Sequence, residues 1–459
     1  MTEKEENRME KDMTAGTPGK IIFNFTMPIF IGNIFQQFYN MADTVIVGKF
    51  VGNAALAAVG ACGTLVFLII GFLQGVTAGF TVVTAQHFGA GNMKAMKKSV
   101  ASGAVLTGIV TVILTLLSMI SMAKVLHLMN TPSDMYGEAY GYIMVICGGI
   151  VAQALYNYLA SVLRALGDSK RPLYFLVIAA LLNIVLDLVF IIVFRMGAAG
   201  AAYATVIAQG ISAVCCLIYI VKRFPILHLE RKDFEICWDS FGRLLKLGIP
   251  MGLQFSITAI GTIIVQSAVN IYGPVHMAGF SAAGKIQNIF ATVFTAFGAT
   301  IATYVGQNRG AGKMDRVKQG VRYTQMMVLG WSVFVMFLMF FFGKYLTYLF
   351  VDPSEQDVVN VSVTYFRTVF WAYPFLGSIF LYRNTLQGMG YGLVPMLGGV
   401  FELVARTGIV VLIAGHTSFA GVCMADPTAW IAALIPLIPY YFHVMKKYKN
   451  KSQVQVVED

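Results

Sequence analysis

Within the first long apolar run of this sequence, the stretch Pro28 to Asp43 reads PIFIGNIFQQFYNMAD and carries Asn33, Gln36, Gln37, Asn40 and Asp43. Positions 33, 36, 40 and 43 follow the three-four spacing that puts side chains on one helix face. A carboxyl in an apolar span is costly unless it faces a cavity or a partner, which makes Asp43 a candidate for ion or proton chemistry. A second carboxyl, Asp187, closes NIVLD in a run of Leu, Val, Ile and Phe, with Asn183 one helical turn earlier. That amide can bond the carboxyl or share a ligand with it. Two carboxyls close together cannot both ionise cheaply, so such a pair can carry a proton. With an amide and a hydroxyl beside it, the pair also offers the all-oxygen set that suits a hard cation such as Na⁺.

Other polar groups fall inside apolar runs. Glu402 and Arg406 are four residues apart, which reads either as a neutralising intrahelical pair or as charge lining a cavity. Arg383 is also deep, and Lys285 and Asp426 lie nearer span ends. Gln36, Tyr142, Asn157 and Gln254 add polar groups of the kind that bond neighbouring helices or face a shared cavity. Pro28 removes a helical hydrogen bond and marks a candidate bend fifteen residues before Asp43. The six Cys show no paired spacing, and no GxxxxGK[ST] phosphate loop, His/Cys metal cluster or nucleophile triad is present. We therefore expect neither an enzyme nor a cofactor beyond a coupling ion, H⁺ or Na⁺.

The elements that must position these groups follow from hydropathy. Mean hydropathy is +0.71, with 57% hydrophobic and 12% charged residues, which excludes an ordinary soluble domain. Apolar segments at about 21–48, 55–85, 99–122, 138–166, 172–194, 197–221, 244–271, 277–306, 320–342, 360–388, 393–415 and 427–445 each reach the ~20 residues of a spanning helix. The formal charge of +11 is concentrated in the even-numbered connections and the C-terminal stretch, so both termini are expected in the cytoplasm. This is topology information and not a nucleic-acid footprint. GAGNMKAMKKSV at Gly89 returns as GAGKMDRVKQGV at Gly310, Pro28 as Pro250, and Gly167 and Pro172 as Gly390 and Pro395. These anchors predict a parallel repeat. The fold class expected is an all-α membrane protein of twelve transmembrane helices in two pseudo-symmetric six-helix lobes around a central cavity. Its parts are a tail 1–20, a lobe 21–221, a linker 222–243, a lobe 244–445 and a tail 446–459.

Helical rise places Asp187 roughly 22 Å from the cytoplasmic end of span five and Thr205 roughly 12 Å from the outer end of span six. Asp43, Asn183, Asp187 and Thr205 are therefore expected to meet in the outer part of the first lobe. The second lobe has Val265 where the first has Asp43, and Val410 where it has Asp187, so the lobes differ chemically.

Taken together, the early MP…Q…D, the two GAG-x-M turns, LRALGDSKRP, NIVLD and GAAGAAYAT resemble the multidrug and toxic compound extrusion (MATE) family over essentially the whole chain. The carboxyl arrangement resembles the branch named for the DNA-damage-inducible F protein. The resemblance implies export of bulky, often cationic, drug-like compounds driven by inward H⁺ or Na⁺. It also implies a cation site at Asp43, Asn183, Asp187 and Thr205, with Tyr142 in its network and Pro28 as the bending proline. A monomer in a prokaryotic plasma membrane, with lipid and small molecules as its partners, is expected. The alternative is a flippase for lipid-linked precursors, which shares the architecture.

Overall fold

The computed structural model describes residues 12–129, 131–235, 237–413 and 418–458. Residues 1–11 of the expected N-terminal tail, and Asp459 of the other, lie outside the described residues. Among the described residues every regular element is a helix. In chain order these are α1 Pro18–Phe50, α2 Asn53–Gly89, α3 Met93–Leu128, α4 Ser133–Gly148, α5 Ile150–Ala165, α6 Lys170–Leu188 and α7 Gly197–Arg223. There follow α8 Trp238–Asn270, α9 Pro274–Gly310, α10 Met314–Thr347, α11 Gln356–Val369, α12 Tyr373–Gly388, α13 Leu393–Ile413, α14 Phe419–Cys423 and α15 Ala425–Glu458.

Among the described residues, ten helical segments are long and apolar enough to cross a membrane, and α4 with α5, bent by 46° across Gly149, makes an eleventh. The pair α11 and α12 begins 223 residues after α4 (356 − 133) and completes the twelve expected spans. Its own composition is less apolar because it carries Asp357, Arg367 and Arg383.

The burial pattern is that of a protein in lipid. On α3, Ile109, Val112, Ile113, Leu116, Leu117 and Ile120 are exposed at three-four spacing, while Ser99, Ser102, Thr107, Thr111 and Ser118 are buried. A soluble helix does the reverse. Hydroxyls join helices inside, as between Thr84 and Ser99 at 3.1 Å and from Ser362 to the Gly279 carbonyl at 2.7 Å.

The two GAG motifs are tight turns between long helices. Gly91 and Gly312 hold φ of 68° and 72°, a conformation that costs an L-residue with a Cβ. Asn92 then starts α3 by accepting the Ala95 N–H at 3.0 Å.

The chain divides into two compact units, one containing Asn24–Ser256 and the other Thr14–Phe23 with Ile257–Asp459. In the first, the segment after α7 is tied down by Lys97 Nζ, which donates to the His228 carbonyl at 2.9 Å. In the second, Lys313 Nζ donates to the Thr14 carbonyl at 3.0 Å and Arg316 Nη1 to that of Gly16 at 2.9 Å.

Candidate cation-coupling site

Three helices of the first unit supply the site. Asp43 comes from α1, Asn183 and Asp187 from α6, and Thr205 from α7. Asp187 is wholly buried and Asn183 nearly so, at 0% and 2% exposure. Asp43 and Thr205 are half-buried.

The amide orientation that matches donors with acceptors has Asn183 Nδ2 donating to Asp43 Oδ1 at 2.8 Å, and the Asn183 oxygen accepting the Thr205 backbone N–H at 3.3 Å. Turned the other way, Nδ2 donates to Thr205 Oγ1 at 3.3 Å. Thr205 Oγ1 in turn donates to Asp43 Oδ2 at 3.5 Å. Neither oxygen of Asp187 meets a donor among the described residues, and the Asp43 carboxyl lies within hydrogen-bonding reach of it. A hydrogen bond between two carboxyls needs a proton on one of them. Chemically, the arrangement can hold a proton between the acids, or a bare cation among their oxygens and those of Asn183 and Thr205. No Lys, Arg or His pairs with Asp43 or Asp187 among the described residues.

Sequence reasoning missed part of the surround. Gln209 Nε2 donates to the Tyr39 hydroxyl at 3.5 Å, and Gln36 is placed close by, three residues earlier on the same helix. Tyr39 lies one turn before Asp43, and Gln209 one turn after Thr205, so helical spacing held the signal. Tyr142 packs against the small cluster of Ile46, Val47 and Ile191, within electrostatic reach of both carboxyls.

A single π-helical turn, Val189–Val193, follows α6 directly. Such turns insert an extra residue and recur at functional sites. On the far side of α7, Gly149 leaves room for Val206, the neighbour of Thr205, where a Cβ would overlap the Val206 methyls.

The remaining expected residues are placed elsewhere. Pro28 is buried within α1, deprives the Asn24 carbonyl of its helical partner, and lines a cleft of ≈ 360 Å³ with Met27, Ile31, Lys170 and Tyr174. Asn157 on α5 keeps a buried, unpartnered Nδ2, and Gln254 is buried on α8.

In the second unit Glu402 and Arg406 form the expected pair, with Oε1 3.1 Å from Nη2, and the pair extends further. Arg383 Nη2 is 3.2 Å from Glu402 Oε2, and Arg406 Nη2 is also 3.1 Å from Asp426 Oδ1. The Tyr365 hydroxyl donates to Asp426 Oδ2 at 2.8 Å and contacts Gln287 Oε1.

Many apolar spans around a buried carboxyl pair are features that membrane carriers share. The family model described as MatE matches residues 28–189 and 250–413, which is most of the chain. The probable multidrug resistance protein YpnP of Bacillus subtilis (strain 168) is 33% identical over 383 residues, 83% of this chain and 84% of that protein. The probable multidrug resistance protein NorM of Thermotoga maritima is 26% identical over 387 residues, 82% of each. A solved structure described as the outward-facing conformation of a multidrug resistance MATE family transporter superposes with a TM-score of 0.89 at 22% identity. It covers 95% of this chain and 98% of its own. The chain belongs to the MatE family.

Proposed function

We propose that the chain is a secondary antiporter that exports bulky, cationic or amphipathic compounds in exchange for inward H⁺ or Na⁺. The observation that carries this reading is Asp187, wholly buried and set beside Asp43, with no donor and no basic partner among the described residues. A bare carboxyl pair at such depth is costly unless a cation visits it. The relatives' names support the substrate class.

In this reading the outward-open protein takes a cation onto Asp43, Asp187, Asn183 and Thr205 and releases its cargo. The inward-open protein loses the cation and takes cargo again. Cation and cargo drive the cycle only through unequal affinity for the two states. Gln36 and Tyr142 shape the network around the cation, Asn157, Gln254, Glu402 and Arg406 offer polar contacts toward cargo, and Pro28 is the bend. The lobes are 21–221 and 244–445, joined by 222–243. The chain acts as a monomer surrounded by lipid in a prokaryotic plasma membrane, with both termini in the cytoplasm. The carboxyl pattern fits the branch named for the DNA-damage-inducible F protein.

The test is transport of a cationic dye in proteoliposomes, with a pH gradient and a Na⁺ gradient imposed separately. The wild-type protein is expected to respond to at least one gradient, and Asp43→Asn and Asp187→Asn to neither. Full gradient-driven transport by both Asn variants would remove the assignment.

A further inference from the structure

The two halves of this chain repeat each other closely enough to compare them residue by residue. α4 and α11 start 223 residues apart (356 − 133), and so do α6 and α13 (393 − 170). In the last span the buried residues Phe419, Val422, Cys423, Ala425 and Ala429 repeat Ala198, Ala201, Ala202, Ala204 and Ala208 at an offset of 221. At these offsets Tyr142 corresponds to Tyr365, Asn183 to Arg406, and Thr205 to Asp426. The three counterparts are themselves joined, Tyr365 to Asp426 at 2.8 Å and Asp426 to Arg406 at 3.1 Å. The second half thus retains a polar site at the position of the first.

Its charge is different. The first site holds two carboxyls and no fixed cation. The second also holds two carboxyls, Glu402 and Asp426, but Arg406 and Arg383 neutralise them. Arg406 is 7% exposed, and its Nε and Nη1 are buried without an acceptor. Its Nη2 alone meets both acids, bonding Glu402 Oε1 and Asp426 Oδ1 at 3.1 Å each. Space for the guanidinium comes from α8. Gly261 stands where α1 has the bulky Tyr39 (261 − 39 = 222), and a Cβ there would come within 3.0 Å of Arg406 Nη1.

We propose that the second lobe is a cation site of the same descent whose cation is built in. The Arg406 guanidinium occupies the place that an exchangeable monovalent cation takes in the first lobe. The donor set suits that role, because a guanidinium between two carboxylates satisfies them as a small cation would. The second lobe then stays loaded at every stage of transport, and one exchangeable cation site is left per chain. The comparison rests on the cation reading of the first lobe, but the site itself can be tested without it.

The test is cation binding to the purified full-length protein, with ²²Na⁺ equilibrium binding and proton uptake in parallel. Arg406→Ala is expected to bind one further Na⁺ or proton per chain than the wild type. It is also expected to be stabilised by methylguanidinium, which refills the vacated place. Glu402→Gln added to Arg406→Ala is expected to abolish both gains. A folded Arg406→Ala protein with unchanged binding and no response to methylguanidinium overturns the proposal.

Should Arg406→Ala not fold, the same measurements on Asp43→Asn/Asp187→Asn decide. With the first site disabled and Arg406 intact, no Na⁺ or proton is expected to bind, and binding that is lost with Glu402→Gln overturns the proposal. A wild-type protein that binds neither cation refutes the first-lobe reading alone, since the gain in Arg406→Ala is measured independently.

Discussion

Asn183 gives its amide to Asp43 across two helices and leaves Asp187, one turn away on its own helix, without a donor. The spacing of NIVLD had suggested that the amide would serve Asp187 or a ligand shared with it. The site is therefore unequal. One acid is held by an amide and a hydroxyl, and the other meets no donor among the described residues.

That inequality separates stability from transport. A buried carboxyl without a donor destabilises the fold, so Asp187→Asn is expected to raise stability by about 1–3 kcal/mol while abolishing gradient-driven transport. Asp43→Asn puts an NH₂ donor in place of one of the two oxygens that Asn183 and Thr205 bond, and is expected to abolish transport without that gain. Thermal melts of the two purified variants check the pair. A lower melting temperature for Asp187→Asn would count against the account of its environment.

Gln209→Leu tests the hydroxyl chain behind the site. It removes the donor to Tyr39 along with a buried, unpartnered amide oxygen, so stability should change little. One hydrogen bond is worth about 0.5–1.5 kcal/mol. Transport is accordingly expected to fall about two- to tenfold, read as the initial rate of dye efflux at saturating gradient. An unchanged rate would detach Tyr39 and Gln209 from the site.

Gly149→Ala is expected to act through Val206. The added methyl overlaps the valine, and overpacking of this kind costs about 1–3 kcal/mol. Because Val206 adjoins Thr205, transport should fall as well. The double variant Gly149→Ala/Val206→Ala should recover both the melting temperature and the rate. Recovery of neither would place the damage elsewhere.

Pro28→Ala returns a hydrogen-bonding N–H to α1 and opposes bending there. Cation binding should be retained while turnover falls at least about tenfold, an effect confined to a moving step. Loss of binding and turnover together would make Pro28 a packing residue.

The spans were legible because hydropathy and charge alternation act over twenty residues at a time. The site carboxyls were legible because an acid in an apolar run stands out by itself. Tyr39 and Gln209 were missed although each lies one turn from a residue already singled out. Tyr39 reads as an ordinary apolar-run aromatic, and Gln209 as one of many in-span amides.

The linkage of Arg383, Glu402, Arg406 and Asp426 could be read only in part. The i,i+4 pair is local, whereas the other bonds join residues 19 and 20 positions apart on separate helices (402 − 383 and 426 − 406). Nor does anything in LDLVFIIVF distinguish an α turn from the π turn at Val189–Val193, since every side chain there after the acid is apolar.

A guanidinium fixed to the backbone at Arg406 also limits the work this carrier can do. A tethered cation cannot be handed across the membrane, so it contributes nothing to the driving force. In the proposed cycle, with a single mobile ion per turnover, an uncharged cargo can be concentrated no further than that ion's own electrochemical gradient allows, each tenfold ratio requiring about 1.4 kcal/mol. Under that proposal, a cell that needed steeper expulsion would have to raise its ion gradient, because a second lobe filled by Arg406 supplies no second ion.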